Sequence, residues 1–191
     1  LYMRGTTSSH HIHVTELGDP GFVSLAFRAS SEDDLHKLAA EAEGASSVED
    51  IDEPGGGKRV RLTEPNGYTI EVVHGVEEVA EIPIERHAYN FGNIDKYKRA
   101  GELWRVDKGP ARVMRIGHGV LGTTKLEEST AWVRKHIGLI ASDEVFVEGD
   151  KDKVIASFNR IDAGEQFVDH HVFLYVGNEK AGLNHISFEV P

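Results

Sequence analysis

Short apolar runs rich in β-branched residues dominate the first part of the chain and predict strands. These runs lie at 12–15, 22–27, 59–62 and 68–73. The last two flank Glu64-Pro65-Asn66-Gly67, whose Asn-Gly pair is a strong hairpin signal. An amphipathic segment at 31–43 predicts a helix that Ser30 or Ser31 can cap. Its apolar stripe consists of Leu35, Leu38, Ala39 and Ala42.

The second part of the chain repeats this pattern. A strand is predicted at 115–122, a helix at 125–137 and further strands at 153–159, 167–176 and 183–190. Gly138 ends the helix, whose buried side is expected to carry Leu126, Ala131, Trp132, Val133 and Ile137. Each part is therefore a βαβββ-like unit, and the chain is predicted to be an α+β protein.

The irregular stretch 76–114 is mixed in charge and is interpreted as a linker. We expect residues 1–75 to belong to an N-terminal domain and residues 115–191 to a C-terminal domain.

Composition narrows the classes of function. The 191 residues include no cysteine, which excludes a disulfide scaffold, a zinc-thiolate site, an iron–sulfur cluster and a thiol nucleophile. The formal charge of -11 argues against nucleic acid as a partner, because phosphate contacts need a basic patch. No apolar run approaches the ~20 residues that a membrane span needs, and we expect a cytoplasmic protein without membrane contact.

Two blocks of sequence recur in order. Residues 9–12, Ser-His-His-Ile, match 169–172, Asp-His-His-Val, and 21–27 match 182–188. The offset is 160 residues for the first blocks and 161 for the second. Chance is the alternative, since His-His pairs recur in unrelated proteins, but ordered blocks at near-constant spacing favour an internal duplication.

Two histidines lie at the start of apolar strands. Alternation places Ile116, His118 and Val120 on one face of the first strand. In the second strand it separates Leu183, His185 and Ser187 from an apolar set expected to pack against a helix, Ile186, Phe188 and Val190. Two imidazoles from equivalent strands could meet around one metal ion, but the residues alone leave a ligand and a structural interpretation equally open.

A third candidate is the pair His170 and His171, which is expected on a strand with the two rings on opposite faces. Either the pair stabilises a strand edge, or His171, titrating near neutral pH, is an acid/base group. The remaining histidines, including His87 in the linker, are expected to be surface residues.

Four segments together carry a family resemblance: Ile-Gly-His-Gly-Val-Leu at 116–121, Leu-Glu-Glu-Ser-Thr-Ala-Trp-Val at 126–133, Asp-His-His-Val-Phe-Leu at 169–174 and Gly-Leu-Asn-His-Ile-Ser-Phe-Glu-Val at 182–190. The chain resembles the vicinal oxygen chelate superfamily. Within it, the chain is most similar to two-domain type I extradiol ring-cleaving dioxygenases of the dihydroxybiphenyl and catechol 2,3-dioxygenase kind. The segment 64–71 is similar to the module ending of that superfamily. The resemblance implies repeated βαβββ modules that form open-barrel mixed sheets in two domains. It implies that 1–75 is part of a non-catalytic domain, and that 115–191 is part of a metal-binding domain whose final module is not in the chain.

The resemblance also implies roles for particular residues. His118 and His185 match the two histidine ligands to Fe(II), less often Mn(II), and His171 matches a second-sphere histidine that handles protons. Val120 and Phe158 fall where the family lines its substrate pocket. The implied activity is extradiol (meta) cleavage of a small catecholic substrate by O2 in aromatic catabolism, commonly in a homo-oligomer.

The third ligand in this family is a Glu on the last strand of the final module. The duplication aligns Ser24 with His185, and Glu71 follows Ser24 by 47 residues. The same interval predicts a Glu near position 232, beyond Pro191. Glu71 itself is interpreted as part of a vestigial first-half site; the alternative is that Glu71 of a partner chain completes the metal shell.

Two other functions fit the same scaffold. One is a glyoxalase-like metal-dependent isomerase or lyase, which would not consume O2. The other is a non-catalytic binding protein of the bleomycin-resistance type, which would bind no catalytic metal.

Overall fold

A computed structural model describes residues 1–84, 101 and 108–191, so that His87 and most of the predicted linker lie outside the described residues. The elements follow in the order β1 (Tyr2–Met3), β2 (His13–Val14), β3 (Ser24–Arg28), α1 (Glu32–Glu41), β4 (Glu49–Asp50), β5 (Lys58–Thr63), β6 (Thr69–His74), β7 (Arg115–Thr123), α2 (Leu126–Ile137), β8 (Leu139–Val147), β9 (Asp150–Ile161), β10 (Phe173–Gly177) and β11 (Gly182–Glu189). Neither described helix combines the length and apolar character needed to cross a bilayer.

Two mixed sheets carry the fold. One has the strand order β3-β6-β5-β4 and the other β11-β7-β10-β9-β8. In each half the first strand pairs in parallel with the last strand of its unit, β3 with β6 and β7 with β10, while the strands between them are antiparallel. The predicted α+β fold of repeated βαβββ modules is therefore confirmed.

The sequence correctly predicts the residue that caps the start of α1 and the residue that ends α2. Ser31 caps α1 in a capping box, since its hydroxyl accepts from the Asp34 N–H and the Asp34 carboxylate accepts from the Ser31 N–H. Gly138 ends α2 in the left-handed conformation with φ of 76°. The buried stripe of α2 is partly wrong, because Ala131 is exposed, whereas Ser129 is fully buried.

The strand β8 is missing from the sequence prediction. Its centre is the polar run Ser142, Asp143 and Glu144, and it lies at the edge of the five-stranded sheet. The pairing of β8 with β9 also shifts register between Ala141 and Asp143. An exposed edge strand with a bulge has no regular apolar alternation, which is why the pattern fails there.

One apolar cluster joins the two halves. Ile70 of β6 packs in the same cluster as Leu121, Val133, Phe173 and Tyr175 of the second half. The two sheets are therefore held together by buried apolar area, the dominant favourable term in folding.

Gly119 lies where the middle of β7 approaches a side chain of the first half. A Cβ atom there would lie 3.3 Å from a methyl carbon of Leu25 on β3 and 3.5 Å from one of Ile186 on β11. Ile186 thus lies beside Leu25 of the first half. A side chain in place of Gly119, next to His118, would crowd Leu25, whose methyl groups would have to move by a few tenths of an ångström.

The hairpin between β5 and β6 also joins the halves through a buried carboxylate. Glu64 is 1% exposed and accepts hydrogen bonds from the backbone N–H of Asn66 at 2.7 Å and from the hydroxyls of Ser129 and Tyr175, each at 3.3 Å. Burial, and secondarily the Glu64 charge, raise the pKa of Tyr175, so its phenol stays protonated and donates. A buried charge is tolerable here because hydrogen bonds satisfy it from both halves.

Asn66 extends the same network. Its side-chain amide donates to Thr123 Oγ1 at 2.8 Å and its Oδ1 accepts from the Thr124 N–H at 3.1 Å. Tyr68 of the same hairpin donates to the Gly122 carbonyl at 2.7 Å. The hairpin therefore fixes the end of β7 relative to the first sheet.

The described ends of the predicted linker are hydrogen-bonded to the N-terminal segment. Ile82 donates to the carbonyl of Thr6 and Thr6 donates to that of Val113, at 2.8 and 3.0 Å. The segments before and after the undescribed residues are thus both hydrogen-bonded to Thr6.

We expect Glu64→Gln to lower the free energy of unfolding by about 1–3 kcal/mol, because an amide N–H2 would face hydroxyl donors that now have an acceptor. The matched control is Glu78→Gln, an exposed acid paired with Arg28 at 3.3 Å, for which a change of about 0–1 kcal/mol is expected. Urea unfolding of both variants measures the difference. Equal stabilities would show that the buried carboxylate does not hold the halves together.

Candidate metal centre

A β-bulge in β11 determines which way His185 faces. The antiparallel pairing of β11 with β7 shifts by one residue between Leu183 and His185, which leaves Asn184 without a partner. His185 is therefore paired with Val120, which lies on the same face of β7 as His118. Because one residue of register reverses the face of a side chain, the extra residue brings both imidazoles to one face.

Strict alternation, expected from the sequence, is wrong for Leu183 of β11. Leu183 pairs with Leu121, which lies in the core, because Asn184 is an extra residue of β11 and reverses the face. The register shifts a second time between Ser187 and Phe188, which pair with His118 and Ile116. Gly117 is the extra residue of this second shift, so the alternation is interrupted between Ile116 and His118 on β7.

The two imidazoles lie close enough to share one ion. His118 Nε2 and His185 Nε2 are 3.2 Å apart, with ring centroids separated by 5.3 Å and planes inclined by 76°. Two metal–nitrogen bonds of ~2.1 Å would separate the nitrogens by ~3.0 Å at a right angle and ~3.4 Å at a tetrahedral angle. The observed distance falls within that interval.

Asn184, the bulged residue, orients the His185 ring. Its Oδ1 lies 2.8 Å from His185 Nδ1, and an amide oxygen can only accept, so Nδ1 carries the proton. The lone pair of neutral His185 is then on Nε2, the atom that faces His118. A second hydrogen bond of this kind is the usual device that fixes the tautomer of a metal-binding histidine.

The electrostatics of His118 favour its neutral form. Burial lowers the pKa of His118, and the neighbouring rings of His171 and His185 lower it further. Its imidazole is therefore unprotonated at neutral pH, which is the state that can bind a metal.

His171 lies against His118, but not on a strand as expected. The predicted strand 167–176 is confined to Phe173–Gly177, and the His170–His171 pair lies in the preceding loop. The ring of His171 is 4.4 Å from that of His118, centroid to centroid. The loop is fixed because Val172 donates to the Asn159 carbonyl at 2.9 Å and accepts from the Gly119 N–H at 3.1 Å. Burial and His170 lower the pKa of His171, while Asp169 opposes them.

The two residues expected to line a pocket lie on this same face. The cross-strand register runs from His185 through Val120 and Leu174 to Phe158. Val120 is only 1% exposed, so it belongs to the buried floor of the face. Phe158 is partly exposed and meets the ring of His171 edge-on, at 5.1 Å between centroids.

An arginine clamp, not found from the sequence, holds the loop before His171. Arg115 at the start of β7 binds both oxygens of Asp169 at 2.7 and 3.0 Å, and its Nε lies 2.6 Å from Glu189 of β11. The paired hydrogen bonds to Arg115 lower the pKa of Asp169. Arg115 stands three residues before His118, but only the pairing of β7 with β11 and the position of the loop before β10 reveal the clamp.

Glu71, whose interval from Ser24 served to predict the third metal ligand, lies in an ion-pair network of the first half. Glu71 is paired with Arg59 at 3.5 Å and Arg61 at 3.7 Å, and its side chain is 13% exposed. Arg59 also binds Glu49 and Glu53, at 2.8 and 2.9 Å. A carboxylate neutralised by two guanidinium groups is a poor metal ligand, which supports the vestigial interpretation of Glu71 over the idea that it completes a partner's shell.

The donor set fits part of a site for a divalent metal. Two neutral imidazoles at a chelating distance suit several divalent metals, Fe, Zn and Ni among them. Within 1–84, 101 and 108–191, no group of three or more His, Cys, Asp or Glu side chains is arranged to hold a metal ion. His171 is therefore a neighbour of the pair and not a third ligand in this arrangement.

Solved structures share this architecture. The Mn(II)-bound glyoxalase from Novosphingobium aromaticivorans superposes with a TM-score of 0.72 at 20% sequence identity, over 98% of this chain and 53% of that one. A variant of homoprotocatechuate 2,3-dioxygenase from Brevibacterium fuscum gives 0.71 at 17% identity over 98% and 46% of the two chains. The Arthrobacter globiformis homoprotocatechuate 2,3-dioxygenase gives 0.69 at 18%, over 98% and 52%.

No family model matches the sequence, and no curated protein matches it at a significant level. The chain spans about half the length of the solved structures that it resembles. Their shared architecture is the repeated βαβββ module described above, and the resemblance read from the sequence is confirmed at the level of the fold: this chain has the vicinal oxygen chelate fold.

Proposed function

We propose that this chain contributes to an extradiol dioxygenase that cleaves a small catecholic ring with O2 at a mononuclear non-haem Fe(II). In this proposal His118 and His185 are two of the ligands, and a carboxylate outside the described residues is the third. The observation that carries the proposal is the 3.2 Å separation of the two Nε2 atoms on one face of the sheet. Two histidines and one carboxylate on one side of Fe(II) leave open positions, the arrangement typical of non-haem iron oxygenases.

A bound Fe(II) would supply a path for electron density from a catecholate to O2, whose direct reaction is forbidden by spin. The protein's own part is to bind and orient the ring. Phe158 offers an aromatic surface beside His171, and Val120 and Leu174 form a buried apolar floor, 1% and 6% exposed. Such a surface matches the apolar face of a small aromatic substrate.

His171 is proposed to move the protons of the reaction. Its ring contacts both His118 and Phe158, so it lies between the metal ligands and the proposed binding surface. In its neutral form it can take a proton from a substrate hydroxyl and later return it. A positioned acid/base group of this kind typically contributes about 10²–10⁴ in rate.

A glyoxalase-like isomerase or lyase is the second candidate. It is favoured by the fold shared with the Mn(II)-bound glyoxalase from Novosphingobium aromaticivorans. The two candidates differ in their use of oxygen, because only the dioxygenase consumes O2 when a catechol is added. A binding protein without a metal is disfavoured by the 3.2 Å approach of the two Nε2 atoms and by the Asn184 contact that leaves the lone pair of His185 on Nε2.

We expect His185→Ala to weaken Fe(II) or Mn(II) binding by at least about 100-fold, since loss of an outer-sphere partner alone costs about 10–100-fold. Anaerobic titration calorimetry measures the affinity. The control is His36→Ala, a histidine of α1 that only faces Glu32 at 3.7 Å on the surface.

Asn184→Leu provides a graded test of the same site. Because it removes the Nδ1 partner of His185 but leaves both imidazoles, an intermediate loss of about 10–100-fold is expected. Metal affinities unchanged in both His185→Ala and Asn184→Leu would refute the assignment of this centre.

His171→Phe should keep the metal and slow turnover by about 10²–10⁴. Phenylalanine preserves the ring packing against Phe158 but has no nitrogen to carry a proton. Oxygen uptake with a catechol, normalised to bound iron, measures the effect. An unchanged turnover number would reduce His171 to a packing role.

A further inference from the structure

His171 contacts a second histidine, His170, which in turn contacts a carboxylate, and we call these three residues a series. Asp143 Oδ2 is 2.8 Å from His170 Nε2, and His170 Nδ1 is 3.0 Å from His171 Nδ1. The two rings are nearly perpendicular, at 89°. Neither Asp143 nor His170 contacts His118 or His185 in the described structure, so the pair lies on the side of His171 away from the metal candidates.

Hydrogen-bond chemistry fixes where the protons are in this series. An ionised carboxylate can only accept, so the His170 nitrogen facing Asp143 carries a proton. In a neutral imidazole the other nitrogen, Nδ1, then has the lone pair and must accept from His171 Nδ1. Neutral His171 is therefore protonated on Nδ1, and its Nε2 carries the lone pair.

We propose that Asp143 and His170 are positioning residues that hold His171 in its Nδ1-protonated tautomer, so that Nε2 is its basic atom. This inference rests on the proposed function in one respect, that His171 takes a proton from substrate. The proton then binds to Nε2, and the Nδ1–H bond to His170 remains in place. The resulting positive charge is stabilised by the Asp143 carboxylate through His170, and no proton has to pass along the series.

A bulge in β8 places Asp143 beside the two histidines. Ala141 pairs with Asn159, whereas Asp143 pairs with Phe158, so Ser142 is the extra residue of β8. As with Asn184 in β11, one inserted residue reverses the face that follows it. Asp143 is thereby placed on the face of Phe158, where His170 and His171 lie.

The bulged residue itself holds the loop. Ser142 donates from its hydroxyl to the carbonyl of His170, and Arg160 of β9 donates to Ser142 Oγ at 3.1 Å and to the Ala141 carbonyl at 2.8 Å. Main chain and side chain of His170 are thus both tied to β8. A surface ion pair alone would not hold a ring in one orientation, but here the backbone is restrained as well.

The duplication supplies an internal comparison. His10 and His11 repeat the same contact, with Nδ1 atoms 3.2 Å apart and rings at 86°. Among the described residues, no carboxylate hydrogen-bonds to His10. The geometry of the histidine pair is therefore a property of the repeated sequence, whereas the carboxylate behind it belongs to the second half only.

Nitrogen-15 NMR of histidine-labelled, metal-free chain at pH 8 tests the proposal, because ring nitrogen shifts distinguish the two neutral tautomers. In the wild type, His171 is expected to be protonated on Nδ1. His170→Leu removes the acceptor and should shift His171 toward the Nε2-protonated form. His170→Asn, nearly the same size as leucine, places an amide oxygen close to the position of the lost Nδ1 and should restore the original tautomer. Asp143→Leu should give a mixture of the two forms.

A wild-type His171 protonated on Nε2 would overturn the proposal, as would a tautomer unchanged in His170→Leu. Because no metal or substrate is present, this result is independent of dioxygenase activity. A chain that binds no metal but shows the tautomer change would refute the proposed function alone. Full oxygen uptake with His171 protonated on Nε2 would refute this inference alone.

In the loaded enzyme, His170→Leu should lower kcat for oxygen uptake by about 10-fold or more while KM stays within about 2-fold, since the series acts on proton transfer and not on binding. His170→Asn should recover most of kcat. If His170 had a purely structural role, kcat would fall equally in both variants, and that result would contradict the proposal.

Discussion

The candidate site depends on the register between two antiparallel strands. β7 and β11 carry one histidine each, and the strands are joined over most of their length. Without the bulge at Asn184, His185 would pair with Gly119 and face the core, on the opposite side of the sheet from His118. The single extra residue therefore does two things. It turns the ring toward its partner, and its own side chain fixes the ring's tautomer.

That register is useful only if β7 is itself held in place. The strand is anchored at one end by the Glu64–Asn66 hairpin of the first half, and at the other by the Arg115 clamp to Asp169 and Glu189. In its middle, Gly119 lets β3 approach closely. The first half supports the strand that bears His118, and its carboxylate Glu71 is neutralised by arginines.

The sequence predicted the positions of helices and hairpins better than it predicted the face of a strand on which each side chain lies. The capped helix, the Asn-Gly hairpin and the duplicated unit carry local signals, and strand alternation together with the family resemblance indicated that His118 and His185 could meet. The face of Leu183 was wrong because the bulge at Asn184 is not visible in an apolar pattern. Asp143 and Arg115 were missed for a related reason: their roles arise from pairing between strands distant in sequence, and β8 has no alternation to reveal it.

X-ray absorption at the manganese edge of chain loaded with Mn(II) tests the central claim most directly. The extended fine structure contains a multiple-scattering signature of coordinated imidazole rings. We expect two imidazoles at ~2.1–2.3 Å in the wild type and one when either histidine is replaced by alanine. A shell made of oxygen atoms alone, identical in the wild type and both variants, would contradict the account.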